Sequence, residues 1–434
     1  MDLNKYTRII QHTDTHRYYG KIDKVIGMMI ESVGPDCRVG DLCRIYSTPG
    51  GRFIEAEVVG FRGNKVLLMP YEDPEGISSG NLVESTGAAL TIGISENLIG
   101  RVINAIGQPI DGLGPVDNCA RVSVNSLVSN PLARPRIQDT LEFGVKAIDG
   151  MLTIGKGQRM GIFAGSGVGK STLMGMIARN MKADLNVIAL VGERGREVRE
   201  FLERDLGPEG LARSILVVAT SDQPAMQRMK CALAATTIAE HFKDQGLDVL
   251  LMMDSLTRFA MAQREIGLAT GEPPIARGYT PSIYSMMPKL LERTGNFETG
   301  SITGIYTVLV EGDDVNEPIA DTVRGIIDGH IVLSRKIAMR NHYPAIDVLG
   351  SVSRLMNDIA GADQLGAAAK IRRLMAAYEA NYDLVSIGAY KPGTNPELDE
   401  AIARMDRING FLRQGTMEKV SYQETLDNMK EAIG

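Results

Sequence analysis

The sequence predicts an α/β fold, with a small all-β region before it and a helical region after it. Between about residues 145 and 350, apolar strand segments alternate with helical runs, which is typical of a parallel sheet covered on both faces. Residues 20 to about 90 read as short strands, and beyond about residue 350 apolar residues recur at helical spacing. A chain of 434 residues can build several cores, so we expect domains over residues 1–90, 91–350 and 351–434.

Individual elements follow from composition and spacing. In the first region, residues 52–61 and 65–69 are rich in β-branched and apolar residues and are separated by a turn. The Gly- and Pro-rich run 100–115 is predicted to connect two domains. The predicted strands of the α/β region are 159–164, 187–191, 215–219, 249–253 and 302–310.

In the last region, Asn395 is predicted to cap a helix that begins at Pro396. The apolar residues expected to face the core there are Leu365, Ile371, Leu374, Met375, Tyr378, Leu398, Ile402, Met405 and Leu412.

The composition is that of a soluble globular protein, with 44% hydrophobic residues and a formal net charge of -6. This charge gives no general attraction to nucleic acid or to an anionic membrane. The four cysteines form no CxxC pair and the five histidines lack metal-ligand spacing, so reduced thiols and no structural metal are expected. The first residues lack the apolar core of a signal peptide, and we expect a cytoplasmic protein, or one peripheral to a membrane.

The strongest local signal is a glycine-rich turn after the predicted strand 159–164. It fits the phosphate-binding pattern only in a relaxed form, because Ala164 stands where the first glycine is usual. Lys170 would reach the β and γ phosphates of ATP, and Ser171 would ligate Mg²⁺. A turn without a ligand is the alternative. The expected ATP-binding residues are Gly165, Ser166, Gly167, Val168, Gly169, Lys170, Ser171 and Thr172.

Two carboxylates follow predicted strands of the same sheet. Asp254 would orient Mg²⁺ and its waters beside a phosphate-binding turn, although an aspartate at that place can also cap a helix. Glu193 could polarise the water that attacks the γ-phosphate, or could belong to a surface charge cluster at a helix start. Spacing alone leaves both interpretations of Glu193 open.

Further segments carry a family resemblance. Residues 344–353, Pro-Ala-Ile-Asp-Val-Leu-Gly-Ser-Val-Ser, resemble the signature of the family that contains the rotary ATP synthase α and β subunits and the type III export ATPases. The Gly-Glu-Arg run at 192–194 agrees with it. The resemblance implies a RecA-like P-loop ATPase core with an N-terminal β-barrel and a C-terminal helical domain. The segments most similar to the flagellar export ATPases and their virulence-secretion relatives are 163–172, 271–279 and 310–318. The segments 388–392 and 399–404 favour the flagellar branch.

The resemblance also implies roles for single residues. Glu193 becomes the water-activating carboxylate, and Arg194 a neighbour of the γ-phosphate. Tyr343 would stack on adenine, with ordinary core packing as the alternative. Arg354 matches an arginine that this family inserts into the neighbouring subunit's site. The alternative role of Arg354 is an ion pair within its own chain. The expected catalytic residues are therefore Glu193, Lys170, Arg194 and Arg354, and the expected metal ligands are Ser171 and Asp254.

If the resemblance holds, the function is Mg-ATP hydrolysis that energises flagellar-type (type III) protein export, releasing and loading export substrates at a membrane gate. It implies a homo-hexamer whose loop 269–279 faces a central, stalk-like coiled-coil protein, unless that loop is an inert connection. The further partners implied are a regulator protein, an export gate membrane protein and chaperone-substrate complexes. The implied location is cytoplasmic and peripheral at the inner-membrane export apparatus.

Three other functions compete with this one. The catalytic subunit of a rotary proton-translocating ATPase shares the fold and Glu193, but usually has threonine where this chain has Ser171. A regulatory subunit that binds nucleotide without turnover usually lacks the carboxylate at Glu193. A hexameric RNA translocase is disfavoured because the chain is acidic, has 5% aromatic residues and contains no Trp, so no nucleic acid partner is expected.

Overall fold

The computed structural model describes residues 18–48, 51–125, 130–310 and 317–434. Residues 311–316 of the segment 310–318, and the N-terminal residues inspected for a signal peptide, lie outside the described residues. Six antiparallel strands form a closed barrel in the spatial order β1-β2-β5-β4-β3-β6. The barrel strands are β1 (Tyr19–Ile26), β2 (Met29–Val33), β3 (Asp41–Tyr46), β4 (Phe53–Arg62), β5 (Lys65–Pro70) and β6 (Leu82–Ala89).

The barrel has its own apolar interior. Alternate residues of its strands point inward, and the side chains of Ile30, Ile45, Val58 and Leu68 are buried there. Closure pairs both edges of the sheet, so the barrel leaves no edge strand open to another chain. The barrel strands predicted at 52–61 and 65–69 correspond to β4 and β5 and are confirmed.

The Gly- and Pro-rich run 100–115, predicted to connect two domains, also supplies a strand to the central sheet. The run contains β8 (Val102–Asn104), which pairs in parallel with β14 (Ser214–Thr220) at the edge of the large sheet. On either side of this run, β7 (Thr91–Ile94) and β9 (Ala120–Ser123) form a separate two-stranded ribbon. A short strand with only two apolar residues gives too little periodicity to be seen in the sequence.

The central sheet has the order β19-β18-β12-β17-β15-β13-β14-β8, with β16 paired to one side of β17. Its neighbours run parallel except for the antiparallel pairs β18/β19 and β16/β17. The strands not yet given are β10 (Thr140–Leu141), β11 (Ile154–Gly155), β12 (Arg159–Ala164), β13 (Leu185–Glu193), β15 (Asp248–Asp254), β16 (Gly295–Asn296), β17 (Ser301–Leu309), β18 (Gly329–Leu333) and β19 (Ile346–Ser353); β10 and β11 pair only with each other.

Helices cover both faces of this sheet, as the strand-helix alternation predicts. The helix that begins at Gly195 widens into a π-helical stretch at Phe201–Leu206 before it continues. The α-helices of this part are Lys146–Met151, Lys170–Asn180, Gly195–Glu200, Gly207–Leu211, Ala225–Asp244, Leu256–Thr270, Pro281–Leu291, Pro318–Ile326 and Arg335–Met339.

The C-terminal part is helical, as predicted. The Asn395 side chain accepts hydrogen bonds from the amides of Glu397 and Leu398, so the predicted cap is confirmed. Ile402 is not a core residue, because 38% of it is exposed and Ala401 is buried in its place. Among the described residues, no helix is both long and apolar enough to cross a bilayer. The helices are Met356–Ile359, Ala362–Ala380, Tyr382–Ser386, Pro396–Leu412 and Tyr422–Ile433.

A buried ion pair fastens the barrel to the central domain. Lys230, on the helix Ala225–Asp244, places its Nζ 2.7 Å from Glu57 Oε2 on β4. The Tyr71 hydroxyl donates to the same carboxylate oxygen at 2.5 Å, and Gln227 donates to the Tyr71 carbonyl oxygen at 2.8 Å. Because Lys230 is 2% exposed, the pair lies out of reach of solvent screening.

We predict that Lys230→Met lowers the free energy of unfolding by about 3–5 kcal/mol, because it leaves the Glu57 carboxylate buried without its cation. Lys182→Met is the matched control, since the Lys182 side chain is 70% exposed and its pair with Glu142 should contribute less than about 1 kcal/mol. Thermal and denaturant unfolding of the two variants checks this. Equal losses in both would contradict the structural role of the buried pair.

Candidate active site

Four neighbouring strands bring the predicted site residues to one edge of the sheet. The strands β12, β17, β15 and β13 are adjacent and parallel, so their carboxyl ends lie together. The glycine-rich turn follows β12, Asp254 ends β15 and Glu193 ends β13. Parallel pairing therefore assembles one site from segments that are distant in the chain.

The glycine-rich turn leads directly into the helix Lys170–Asn180. Gly167 has a φ of +77° and Gly169 a φ of +89°, a region in which other residues would be strained. Val168 is buried and anchors the turn, while Ser166 and Gly167 remain exposed. Backbone N–H groups and the helix N-terminus together form a concave, positively polarised surface that suits phosphate oxygens.

The ammonium group of Lys170 lies between the two carboxylates. Its Nζ is 2.5 Å from Asp254 Oδ1 and 3.4 Å from Glu193 Oε1. Burial disfavours the charged lysine, but Asp254 and Glu193 outweigh burial and raise the pKa of Lys170. The lysine is thus held as a cation at the mouth of the turn.

Asp254 is aimed into the site by a neighbouring strand. Its Oδ1 accepts a hydrogen bond from the Thr307 hydroxyl on β17 at 2.6 Å, and the residue is 4% exposed. The next helix, Leu256–Thr270, is capped by Ser255, whose hydroxyl accepts from the amide of Arg258. Because Ser255 supplies the cap, the carboxylate of Asp254 is left to face Lys170.

A bulge in β13 directs Glu193. Gly192 has a φ of +70° and interrupts the pairing with β14 between Val191 and Glu193. Burial raises the pKa of Glu193 to about 7; the Asp254 carboxylate and Glu197 act in the same direction, and Lys170 opposes them. A carboxylate with a pKa near neutrality, inside a cleft, is suited to proton transfer.

The donor set fits Mg²⁺ together with a nucleotide. Ser171 occupies the first turn of the helix after the glycine-rich turn, at the same sheet edge as Asp254 and Glu193. Mg²⁺ in phosphate sites commonly takes a few protein oxygens and completes its shell with phosphate and water. No cluster of three or more His, Cys, Asp or Glu residues that could hold a metal by itself occurs in the described part of the chain. The fit is therefore to a metal carried with phosphates.

Tyr343 stands beside the glycine-rich turn. Two of its ring carbons lie 3.6 Å from the position that a Cβ on Gly169 would occupy, and 41% of the residue is exposed. Its carbonyl oxygen accepts from the amide of Gln414, whose side chain bonds the Gly144 carbonyl oxygen and the Lys146 amide. An exposed ring at this place can stack on a planar base and is not a core residue.

Arg194 is not drawn into the site within this protomer. Its side chain is 77% exposed and lies 3.9 Å from Glu197, so its contact with the γ-phosphate stays a prediction. Arg258 is a neighbour of the site that the sequence did not reveal. Its side chain packs against Gly192, and its Nε is buried with no partner among the described residues. Only the three-dimensional contact with the bulge could identify it.

Arg354 lies at the opposite edge of the same sheet. Strand β19 runs antiparallel to β18, so Ser353 pairs with Gly329, whereas Leu333 lies beside Ala164 at the glycine-rich turn. Those two ends of β18 are four residues apart, roughly 13 Å at about 3.3 Å per residue. The Arg354 side chain is exposed, and its Nη2 donates to the carbonyl oxygen of Arg324 at 3.1 Å. Arg354 therefore points away from the phosphate-binding turn of its own chain.

The loop 269–279 leaves the sheet beyond the helix Leu256–Thr270. Gly271 ends that helix with a φ of +97°, and Ile275 is half exposed. Arg277 forms an ion pair of 3.1 Å with Glu317. The loop is thus tied at its far end and presents an apolar side chain to the surface.

Three family models match the chain in succession. The beta-barrel domain of the ATP synthase alpha/beta family matches residues 22–87, and the nucleotide-binding domain of that family matches residues 144–353. The T3SS EscN ATPase C-terminal domain matches residues 360–431. The predicted succession of a barrel, a P-loop core and a helical domain is confirmed.

Curated proteins and solved structures agree with these matches. The flagellum-specific ATP synthase of Bacillus subtilis is 56% identical over 98% of this chain and 97% of its own length. The type 3 secretion system ATPase of Xanthomonas euvesicatoria is 49% identical over 95% of this chain and 93% of its own. The assembled ATPase EscN of enteropathogenic E. coli has a TM-score of 0.90 at 45% identity, covering 96% of this chain and all of that one. EscN in complex with its central stalk EscO has a TM-score of 0.89 at 44% identity, with the same coverage. This chain therefore belongs to the ATP synthase alpha/beta family, and within it to the group of flagellar and type III secretion ATPases.

Proposed function

We propose that this protein is an Mg-ATP hydrolysing ATPase that energises flagellar-type (type III) protein export, releasing and loading export substrates at the membrane gate. The observation that carries the proposal is the position of Lys170 between Asp254 and Glu193 at the phosphate-binding turn. The names of the relatives support the coupling to export, since they include flagellum-specific ATP synthases and type 3 secretion system ATPases.

ATP would lie with its phosphates on the turn 165–172 and its adenine against Tyr343. Lys170 would leave part of its contact with the carboxylates and neutralise the β and γ phosphates. Ser171 and Asp254 would hold Mg²⁺, which when bound balances the charge of the phosphate oxygens. The exposed ring of Tyr343 beside Gly169 supports this direction for the base.

Glu193 would orient the attacking water and accept its proton. Its place on the bulge of β13 brings the carboxylate within 3.4 Å of Lys170, and so towards the terminal phosphate. Burial keeps the pKa of Glu193 at about 7, where the carboxylate can both take and release a proton near neutral pH. Arg194, which follows Glu193 directly before the helix Gly195–Glu200, would contact the γ-phosphate after its exposed side chain rotates.

The complete site would form between two subunits of a homo-hexamer. Arg354 points away from its own turn and would stabilise the charge that develops on the phosphoryl group in the neighbouring site. One solved relative is the assembled ATPase EscN, and another is EscN in complex with its central stalk EscO. By analogy, loop 269–279 would contact a stalk-like coiled-coil protein. The other partners proposed are a regulator protein, an export gate membrane protein and chaperone-substrate complexes, reached from the cytoplasm at the inner-membrane export apparatus.

Two substitutions should separate binding from chemistry. Lys170→Ala should weaken ATP binding and abolish hydrolysis, because the phosphates lose their buried cation. Glu193→Gln should retain ATP binding within a few-fold and lower kcat by about 10² to 10⁴, because it removes only the proton acceptor. Nucleotide binding by fluorescence and phosphate release measure the two properties. Unchanged turnover in Glu193→Gln would show that Glu193 is not the general base.

The pH dependence of the reaction should report Glu193. Its carboxylate is the active form, so kcat/KM should be half-maximal near pH 7, reach its plateau about one pH unit higher, and fall about tenfold per unit at lower pH. Glu197 raises the pKa of Glu193, so Glu197→Gln should move the acid limb to lower pH. The substrate is the same in both profiles, so protonation of ATP itself cancels. Superimposable profiles would exclude Glu193 as the titrating group.

Activity should depend on assembly. If Arg354 acts in the neighbouring site, dilution through the dissociation of the ring should lower the rate per protomer, and Arg354→Ala should lower kcat by about 10³ or more at any concentration. Arg373→Ala is a suitable control, because this arginine is also exposed and pairs with Glu397 on the helical domain. A constant rate per protomer across dissociation, measured beside the sedimentation profile, would rule out the trans role.

A further inference from the structure

We propose that Gln158, a buried glutamine just before β12, is the positioning residue that sets Arg354 for the neighbouring subunit's site. The proposal rests on the proposed trans role of Arg354. Gln158 is fully buried, lies at the far end of β12 from the phosphate-binding turn, and bonds both Ser353, which precedes the arginine, and Asp328. It therefore contacts neither ATP nor the carboxylates of its own chain.

The contacts of Gln158 converge on the backbone of Arg354. The side-chain Nε2 donates to Ser353 Oγ at 3.0 Å and to the carbonyl oxygen of Asp328 at 3.2 Å. The same carbonyl oxygen of Asp328 accepts the amide of Arg354 at 3.0 Å. One amide group thus fixes both the residue that precedes the arginine and the acceptor that holds the arginine's own N–H.

The hydrogen bonds from Gln158 to Ser353 and Asp328 form a clamp. Further hydrogen bonds hold this clamp in place. Gln158 Oε1 accepts from the amide of Gly155 at 2.8 Å, and Ser353 Oγ donates to the carbonyl oxygen of Thr153 at 2.8 Å. The Asp328 carboxylate is held by the Arg159 guanidinium at 3.0 and 3.1 Å. All these groups are buried or partly buried, so their hydrogen bonds do not exchange freely with water.

Arg354 needs such support because its side chain is exposed and is held in this chain at the carbonyl oxygen of Arg324. The direction in which the guanidinium leaves the protein is then set mainly by the backbone of residues 353–354. A displacement of about 1 Å in a group that contacts the reacting phosphoryl can cost about 10²-fold in rate. Gln158 therefore controls a reaction that takes place in another subunit.

Gln158→Met tests this, because methionine has a similar volume and no donors. We expect kcat to fall about 10- to 100-fold while KM for ATP changes less than about 3-fold, since the phosphate site of the same chain is intact. Gln227→Met is the matched control, a buried glutamine that bonds the Tyr71 carbonyl oxygen at the barrel contact. It should leave both constants within about 2-fold.

The decisive measurement is complementation in mixed rings. Protomers with Gln158→Met keep a complete turn, and protomers with Lys170→Ala keep a correctly placed Arg354, so some interfaces of a ring assembled from both are complete. We expect the mixture to exceed the summed rates of the separate variants at least 5-fold. No gain would overturn the proposal, because it would show that Gln158→Met damages its own site.

A parallel mixture of Arg354→Ala with Lys170→Ala tests the trans role of Arg354 separately from the positioning role of Gln158. If neither mixture shows a gain, the trans role of Arg354 fails, and the Gln158 proposal fails with it. If the Arg354 mixture shows a gain and the Gln158 mixture does not, only the Gln158 proposal fails. Should Gln158→Met not fold, Ser353→Ala replaces it, because it removes the hydroxyl that Gln158 holds. A gain or no gain in the mixture of Ser353→Ala with Lys170→Ala then supports or overturns the proposal in the same way.

Discussion

The placement of one ammonium group between two carboxylates organises this molecule. Lys170, Asp254 and Glu193 come from three segments of the chain, and they meet because β12, β15 and β13 run in one direction in one sheet. A buried lysine is stable as a cation only beside such partners. The same balance prepares it for a triphosphate, because phosphate oxygens can take over from the carboxylates at little electrostatic cost. In the proposed reaction, Glu193 would then be released from Lys170 next to the bond to be broken.

The antiparallel strand at the end of the sheet has the opposite effect. Every neighbour from β18 to β8 in the sheet order runs parallel, which gathers the phosphate-binding groups at one edge, whereas β19 returns and delivers Arg354 to the other. A chain built this way holds most of one site and, in the proposed ring, would offer Arg354 to another. The proposed dependence on a neighbouring subunit would thus follow from strand direction, without a special loop.

How much of this could be predicted depended on the range of the interactions. The glycine-rich turn and the carboxylates at strand ends were predictable, because each is fixed by a few consecutive residues. The hydroxyl of Thr307, which aims Asp254, and the clamp of Gln158 were not, since both depend on pairing between distant strands. The strand β8 was missed because it has only three residues, which pair with the distant strand β14. The side chain of Arg194 is 77% exposed, and its pair of 3.9 Å with Glu197 does not fix an orientation towards the phosphate site.

The two ends of β12 connect these features. Its carboxyl end opens into the turn that would hold the phosphates, and Gln158, just before its amino end, bonds Ser353 and the Asp328 carbonyl oxygen that accepts the Arg354 amide. The strand is paired to β17 over residues 159–164 and to β18 over residues 161–164. If Arg354 acts in the neighbouring site as proposed, β12 is the direct structural connection between the phosphates of one subunit and the arginine of the next. Packed elements with two discrete arrangements are the physical means by which sites so far apart become coupled.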